Sequence, residues 1–168
     1  MPKIIENLPE RLAEEARRQI GESGFSAMTI RSVAKGCGVG VGTVYNYFPS
    51  KEALVATFML SDWKKCVEEI QRCADSTQEL EMVLRAIYEK LRLFMTQYDP
   101  IFRDQSAAAS YTGATSTYHG VLRDQLASPV RKFCPDDFTA QFIAEAMLTW
   151  TVAGKSFDAI FSLVNRLF

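Results

Sequence analysis

The chain has 168 residues, with 19 Lys and Arg against 20 Asp and Glu and a formal net charge of −1, a balance that gives no bulk sign of nucleic-acid binding. A content of 48% hydrophobic and 11% aromatic residues excludes disorder over most of its length. The start MPKIIENLPERL lacks the apolar run of a secretory signal, and the longest charge-free stretch, Gln105 to Leu122, is too rich in Ser, Thr, Ala, Gly and Tyr to span a bilayer, so a cytoplasmic protein with no membrane partner is expected.

Apolar periodicity predicts helices almost throughout. Leu8, Leu12, Ala16 and Ile20 recur every fourth residue on a first amphipathic helix, which Gly21 and Gly24 bring to an end. A short second helix is expected from Ile30 to Cys37, with Thr29 as N-cap and Gly38 as terminator, and a third from Val41 to Phe48, stopped by Pro49. Ser50 caps a long fourth helix, expected to reach Cys73. The run Ser76-Thr77-Gln78-Glu79 has the form of a capping box, and Leu80, Val83, Leu84, Ile87, Leu91, Phe94, Met95 and Tyr98 trace the stripe of a fifth helix behind it. Pro100 is expected to break that helix and leave a short one over Ile101 to Ala108. Another is expected from Ser116 to Ser128, with Pro129 and Pro135 in the connection that follows. A penultimate helix starts near Asp136 and ends near Ala153, and Gly154 divides it from a last one, Phe157 to Phe168. No segment alternates with period two for long enough to form a strand, so the fold class is all-α with about nine helices. Residues 1–50 are expected as a DNA-binding domain and residues 51–168 as a regulatory and dimerisation domain.

Few residues are suited to catalysis. His119 is the single histidine, which excludes a multi-histidine zinc site, and its context Ser-Thr-Tyr-His-Gly matches no nucleophile motif. Gly154-Lys155-Ser156 resembles the end of a phosphate-binding loop, but Thr149 stands where the upstream glycine is required. The glycines from Gly36 to Gly42 fail every register of the dinucleotide fingerprint. Cys37, Cys66, Cys73 and Cys134 lie too far apart for Cys-x-x-Cys ligation; Cys66 and Cys73, seven apart on one helical face, leave a redox pair as an alternative to ordinary packing. No enzyme, cofactor or metal is expected.

The informative chemistry lies in residues 29–51. Two short helices with a tight turn form a helix-turn-helix when a small residue sits at the crossing, a residue tolerant of positive φ sits in the turn and an apolar residue anchors the second helix. Ala34, Gly38 and Val44 occupy those places, with Val33, Val39 and Tyr47 as supporting packing. Charge agrees: from Ser23 to Lys51 there is no Asp or Glu, while Arg31, Lys35 and Lys51 give +3, leaving −4 to the rest of the chain.

Gly24-Phe25, Thr29-Ile30, Val33-Ala34, Gly38-Val39, Gly42-Thr43-Val44-Tyr45, Tyr47-Phe48 and Ser50-Lys51-Glu52-Ala53-Leu54 resemble the N-terminal DNA-binding domain of TetR-family transcriptional regulators over about residues 8–60. The resemblance implies a homodimer on a palindromic double-stranded operator, each recognition helix in a major groove, and a C-terminal domain whose ligand changes their spacing. Carried over by position, it implies phosphate contacts from Thr43, Tyr45, Tyr47 and Lys51, a helix cap and phosphate contact from Thr29, and base contacts from Arg31, Val41, Gly42 and Asn46. By their chemistry, Asn46 can pair with adenine, Arg31 with guanine, and Val41 only with a thymine methyl. Gly40 and Val41 depart from the family's usual polar residues, which shifts the expected specificity onto Arg31, Asn46 and DNA shape.

In the tail, Trp63, Tyr98, Phe102, Tyr111 and Tyr118 are candidates for contacting an apolar or aromatic effector, against the plainer reading of aromatic stripes as core. The last two helices carry more apolar surface than one core needs, which suggests a four-helix dimer bundle through Phe138, Phe142, Met147, Trp150, Phe157, Phe161 and Val164. The expected function is a dimeric repressor released from DNA by a small molecule. The alternative is a small-molecule- or partner-binding helical protein whose reading head no longer selects operators.

Overall fold

The computed structural model describes residues 7–104 and 119–167, and every regular element among them is helical. In chain order these are α1 (Leu8–Ser23), α2 (Ile30–Cys37), α3 (Val41–Tyr45), α4 (Lys51–Ser76), α5 (Leu80–Phe102), α6 (residues 119–130), a 3-10 turn (Arg131–Phe133), α7 (Asp137–Val152), α8 (Phe157–Val164) and a final 3-10 turn (Asn165–Leu167). None of the described helices is long and apolar enough to cross a membrane.

The chain divides into two compact units. The first runs through Asp62 and takes in the chain again from Tyr98; the second begins at Trp63, runs to Gln97 and includes the C-terminal helices. Helices α4 and α5 therefore each contribute to both units. The first unit buries Leu8, Leu12, Ala16 and Ile20, the four-residue repeat of α1, together with Phe25, Met28, Val33, Val44, Phe48, Leu54 and Phe58. In the second, Ile70, Leu84, Ile87, Leu126, Ile143 and Met147 form a continuous core with Phe157, Ile160 and Val164.

Several ends differ from expectation for local reasons. Gly21 lies inside α1, and the helix ends instead at Gly24, whose φ of 85° suits a residue without a side chain and whose N–H reaches the Ile20 carbonyl at 2.9 Å. Helix α3 stops at Tyr45 rather than Phe48: the N–H groups of Tyr47 and Phe48 both bond the Val44 carbonyl, which closes a turn before Pro49. Pro100 does not break α5. Only the bond to the exposed Thr96 carbonyl is forfeited, and the next ones resume with Arg103 N–H on Asp99 at 3.0 Å, so Ile101 and Phe102, expected to begin a separate helix, end α5, while residues 105–108 of that expected helix lie outside the described residues. Pro129 is likewise accommodated in the last turn of α6. Instead of a Ser76 capping box, Thr77 accepts the Glu79 N–H at 3.1 Å while the Ser76 hydroxyl turns back onto the Cys73 carbonyl of α4. Asp136 does start α7, accepting from Thr139, and Ser156, not among the expected caps, caps α8 by accepting from Ala159. Helix α8 has eight residues, about 12 Å at 1.5 Å per residue, shorter than the sequence suggested.

Candidate nucleic-acid interface

Helices α2 and α3 are built by their end residues. Thr29, in extended conformation, accepts the Ser32 N–H through its hydroxyl at 3.0 Å, and the Ser32 hydroxyl accepts the Thr29 N–H at 3.0 Å, so α2 starts from a reciprocal cap. Gly38 ends it at φ 69°, a conformation a side chain disfavours, and starts the turn to α3. Val33, Ala34 and Val44 are buried where the helices cross. Phe48, buried, does the packing expected of Tyr47, which is 49% exposed. The result is a helix-turn-helix with α3 anchored on one side only.

The other side of α3 is open. Thr29, Arg31, Gly42, Tyr45, Asn46 and Tyr47 are exposed, and Val41 and Thr43 half-buried. The two phenols, the Thr43 hydroxyl and the Asn46 amide supply neutral donors around a short helix, a set suited to phosphate oxygens and base edges. Lys51 makes internal contacts that the sequence did not suggest. Its ammonium donates to the Phe25 carbonyl at 3.1 Å and the Met28 carbonyl at 3.5 Å and stands 4.0 Å from the centre of the Phe25 ring. As the first residue of α4, it ties the chain leading into α2 back onto that helix. The outward cations of the 23–51 window are therefore Arg31 and Lys35, both exposed on α2.

Two polar networks support this head, and neither was legible in the sequence. On α1, Glu15 accepts from Arg18 at 2.7 Å and from Gln19 at 2.7 Å, and the Gln19 amide oxygen accepts the Ser32 hydroxyl at 2.5 Å, linking α1 to the cap of α2. Hydrogen bonds from Arg18 and then Gln19 hold the Glu15 carboxyl down at about 2 against an ordinary 4.5. A lowered folded-state value stabilises above the ordinary pKa and is lost on acidification, here between pH 4.5 and about 2. The unfolding midpoint of the natural chain should therefore fall more steeply than that of Glu15→Gln through this window in thermal melts; parallel curves would show that the network does not contribute.

The second network joins α1, α4 and α5 within the first unit. Asp62 accepts from Arg17 and, at 2.6 Å, from the Tyr98 hydroxyl; Arg17 also reaches that oxygen at 3.3 Å. The Phe58 ring stacks on Tyr98 at 6.1 Å and lies 4.8 Å beneath the Arg17 guanidinium. Burial first, and the Asp62 hydrogen bond second, push the Tyr98 phenol well above its usual range. Nearby, the Ser26 hydroxyl donates to Asp104 at 2.6 Å. Partners 45 and 36 residues apart leave no periodic signal.

The candidate effector residues separate. Tyr98 belongs to the first unit's core, and Phe102, in the same unit, is exposed. Trp63 is buried in the second unit, its indole N–H on Gln125 at 2.7 Å and its ring edge-to-face with Phe94 at 5.5 Å. Tyr111 and Tyr118 lie outside the described residues. His119, at the start of described α6, bonds Glu145 at 2.9 Å, and Thr149 donates to the same carboxylate.

The candidate dimer residues separate too. Met147 and Phe157 are buried in their own unit's core, away from the open face; Val164 is also nearly buried there but lines the floor of the groove between α7 and α8. Phe138, Phe142 and Trp150 are exposed, Phe138 at 77%, and Phe161 is half-buried, stacked 5.4 Å from Phe157. Leu163, not among the expected residues, joins the open face. Phe142, Ala146, Trp150, Lys155, Ala159 and Leu163, with the nearly buried Ile160 and Val164, line an apolar groove of about 480 Å³ between α7 and α8.

Comparison with known proteins agrees with this geometry. Residues 12–57 match the family model for bacterial regulatory proteins of the tetR family. Over 77 residues, 46% of the chain, it is 26% identical to the HTH-type transcriptional regulator UidR of Escherichia coli K12. The match spans 39% of that relative's length. The transcriptional regulator SCO7518 of Streptomyces coelicolor A3(2) superposes with a TM-score of 0.68 at 15% identity, over 94% of this chain and 95% of that one. FadR of Thermus thermophilus, a TetR-family repressor solved in complex with lauroyl-CoA, gives 0.61 at 21% identity over 95% and 92%. At these identities the solved structures establish the fold.

Proposed function

With residues 12–57 a tetR-family DNA-binding segment and the described chain in the fold of such regulators, we propose that the protein is a dimeric transcriptional repressor that a small apolar or aromatic molecule releases from a palindromic operator. The observation that carries this reading is the open face of α3, where Thr43, Tyr45, Asn46 and Tyr47 present donors beside Arg31 while Val44 alone is buried. The phenols and Thr43 would hold phosphates, Asn46 and Arg31 would read bases, and Thr29 would add a phosphate contact to its capping role. Lys51 acts from behind, by fixing the chain that leads into α2. The exposed groove of α7 and α8 would meet its copy in a second chain. The aromatic second unit would take the effector, a reading supported by the FadR relative of this fold with its bound lauroyl-CoA.

The test is operator selection from random duplexes, followed by affinity against salt. A salt-dependent affinity with a measurable sequence preference is expected. Asn46→Ala should cost discrimination at one base pair by about 5- to 150-fold, the equivalent of about 1–3 kcal/mol for a lost bidentate contact, and Arg31→Ala should do so at another position. If the natural chain binds all duplexes equally, the reading head does not select operators. If Asn46→Ala leaves the preference among operator variants unchanged, Asn46 is not a base reader.

A further inference from the structure

We infer that Thr151 is the residue through which the second unit recognises its effector, and that this effector is a neutral, mainly apolar molecule carrying one hydrogen-bonding group. The inference rests on the effector reading above and adds to it a specificity-determining residue and a chemical class.

Among the described residues, buried polar groups are matched with one exception. The Tyr98 hydroxyl meets Asp62, and the Trp63 indole N–H meets Gln125. Hydroxyls on the helices find acceptors too: Thr57 donates to the Ala53 carbonyl one turn back at 2.8 Å, and Thr149 donates to Glu145 at 2.6 Å. Thr151, on α7, is 2% exposed, and its hydroxyl oxygen has no hydrogen-bond partner in the chain. It does not turn back onto the Met147 carbonyl, the acceptor that a helical threonine ordinarily takes. An unmatched buried hydroxyl weakens a fold, and valine has nearly the same shape without that cost. The fold gains nothing from this hydroxyl, which leaves it free for a bound molecule.

Its place on α7 points into the second unit. Ala144, Met147, Leu148 and Thr151 share the buried stripe of the helix, whereas Phe142 and Trp150 lie on its open side. Thr151 is therefore remote in role from the proposed dimer face. The surroundings set the class of molecule. No charged side chain among the described residues is buried, so an ionised group brought to Thr151 would leave water without a counter-charge. A neutral hydroxyl or carbonyl would be matched by the threonine, and the remainder of the molecule by the apolar core to which Met147 and Leu148 belong.

Three probes of one shape test this by titration calorimetry: para-cresol, para-xylene, which has a methyl in place of the hydroxyl, and para-toluate, which has a carboxylate there. The natural chain should bind cresol and xylene, and toluate at least about tenfold more weakly than cresol. Thr151→Val should lower the ratio of cresol to xylene affinity by about tenfold, and Thr151→Ser should keep it. Without any probe, Thr151→Val should raise the melting midpoint by about 2–4 °C. A ratio unchanged in Thr151→Val overturns the inference and leaves the effector reading intact. A Thr151→Val chain that melts lower than the natural one overturns it too, by showing that the hydroxyl is matched within the fold, a trapped water included. Toluate bound as tightly as cresol overturns the neutral class. If neither cresol nor xylene binds, the reading of an apolar or aromatic effector fails and the inference with it.

Discussion

Trp150→Glu is expected to leave a folded monomer that has lost its operator. Trp150 is half exposed on α7 and lines the apolar groove with Phe142, Ala146 and Leu163, so in the proposed four-helix bundle its ring would be covered by a second chain. A carboxylate there would be removed from water on association without a built partner, which costs several kcal/mol and outweighs what one apolar contact contributes. The folded chain is spared, because the side chain is not part of its own core. Sedimentation at micromolar concentration should show the monomer mass, and helical content by circular dichroism should match the natural chain. Operator affinity should fall by about 100-fold or more, since two linked reading heads exceed one by that order. Met147→Ala should behave oppositely: Met147 is fully buried, and its truncation should destabilise the second unit by about 2–5 kcal/mol while the remaining folded protein stays dimeric. A dimeric Trp150→Glu chain would remove the groove from the interface.

This contrast shows where the sequence was informative. Local chemistry was legible: Thr29, Gly38 and Asp136 mark helix ends because each acts on backbone groups within four residues. The helix-turn-helix was legible for the same reason, since its steric demands fall on Ala34, Gly38 and Val44 within eleven positions. Helix α7 was not, because it is apolar on two sides, and periodicity cannot say which one its own unit covers. Packing decides that Ile143 and Met147 face inward and Phe142 and Trp150 outward. The internal contacts of Lys51 were hidden by the same limit: the Phe25 and Met28 carbonyls to which it donates lie more than twenty residues back. Prolines misled in the opposite direction, since Pro100 and Pro129 stand near helix ends where one missing hydrogen bond is tolerated.

Asp62→Ala is expected to be the most damaging single change in the polar framework of the first unit. Asp62 is the common acceptor of Arg17 from α1 and of the Tyr98 hydroxyl from α5, and Tyr98 is almost fully buried. Removing the carboxylate takes the acceptor from a buried hydroxyl and the counter-charge from a guanidinium held over Phe58, a loss of about 1–3 kcal/mol by the usual cost of an unmatched buried polar group. Tyr98→Phe removes the hydroxyl but leaves the Arg17–Asp62 pair, so it should cost less, about 1 kcal/mol. Denaturant unfolding of the two variants and of the double variant gives their coupling. A double variant no worse than Asp62→Ala alone shows that the tyrosine acts through the aspartate; fully additive losses would show that the two side chains stabilise the unit independently. The functional consequence follows from chain continuity. Asp62 and Tyr98 lie on the long helices α4 and α5, each of which contributes residues to both units, whereas Arg17 belongs to the reading head's first helix. In a repressor whose effector acts by moving α4, a chain without this anchor should respond less to effector even where its operator affinity is retained. The ratio of operator affinities with and without effector should therefore shrink in Asp62→Ala, and an unchanged ratio would place the coupling elsewhere.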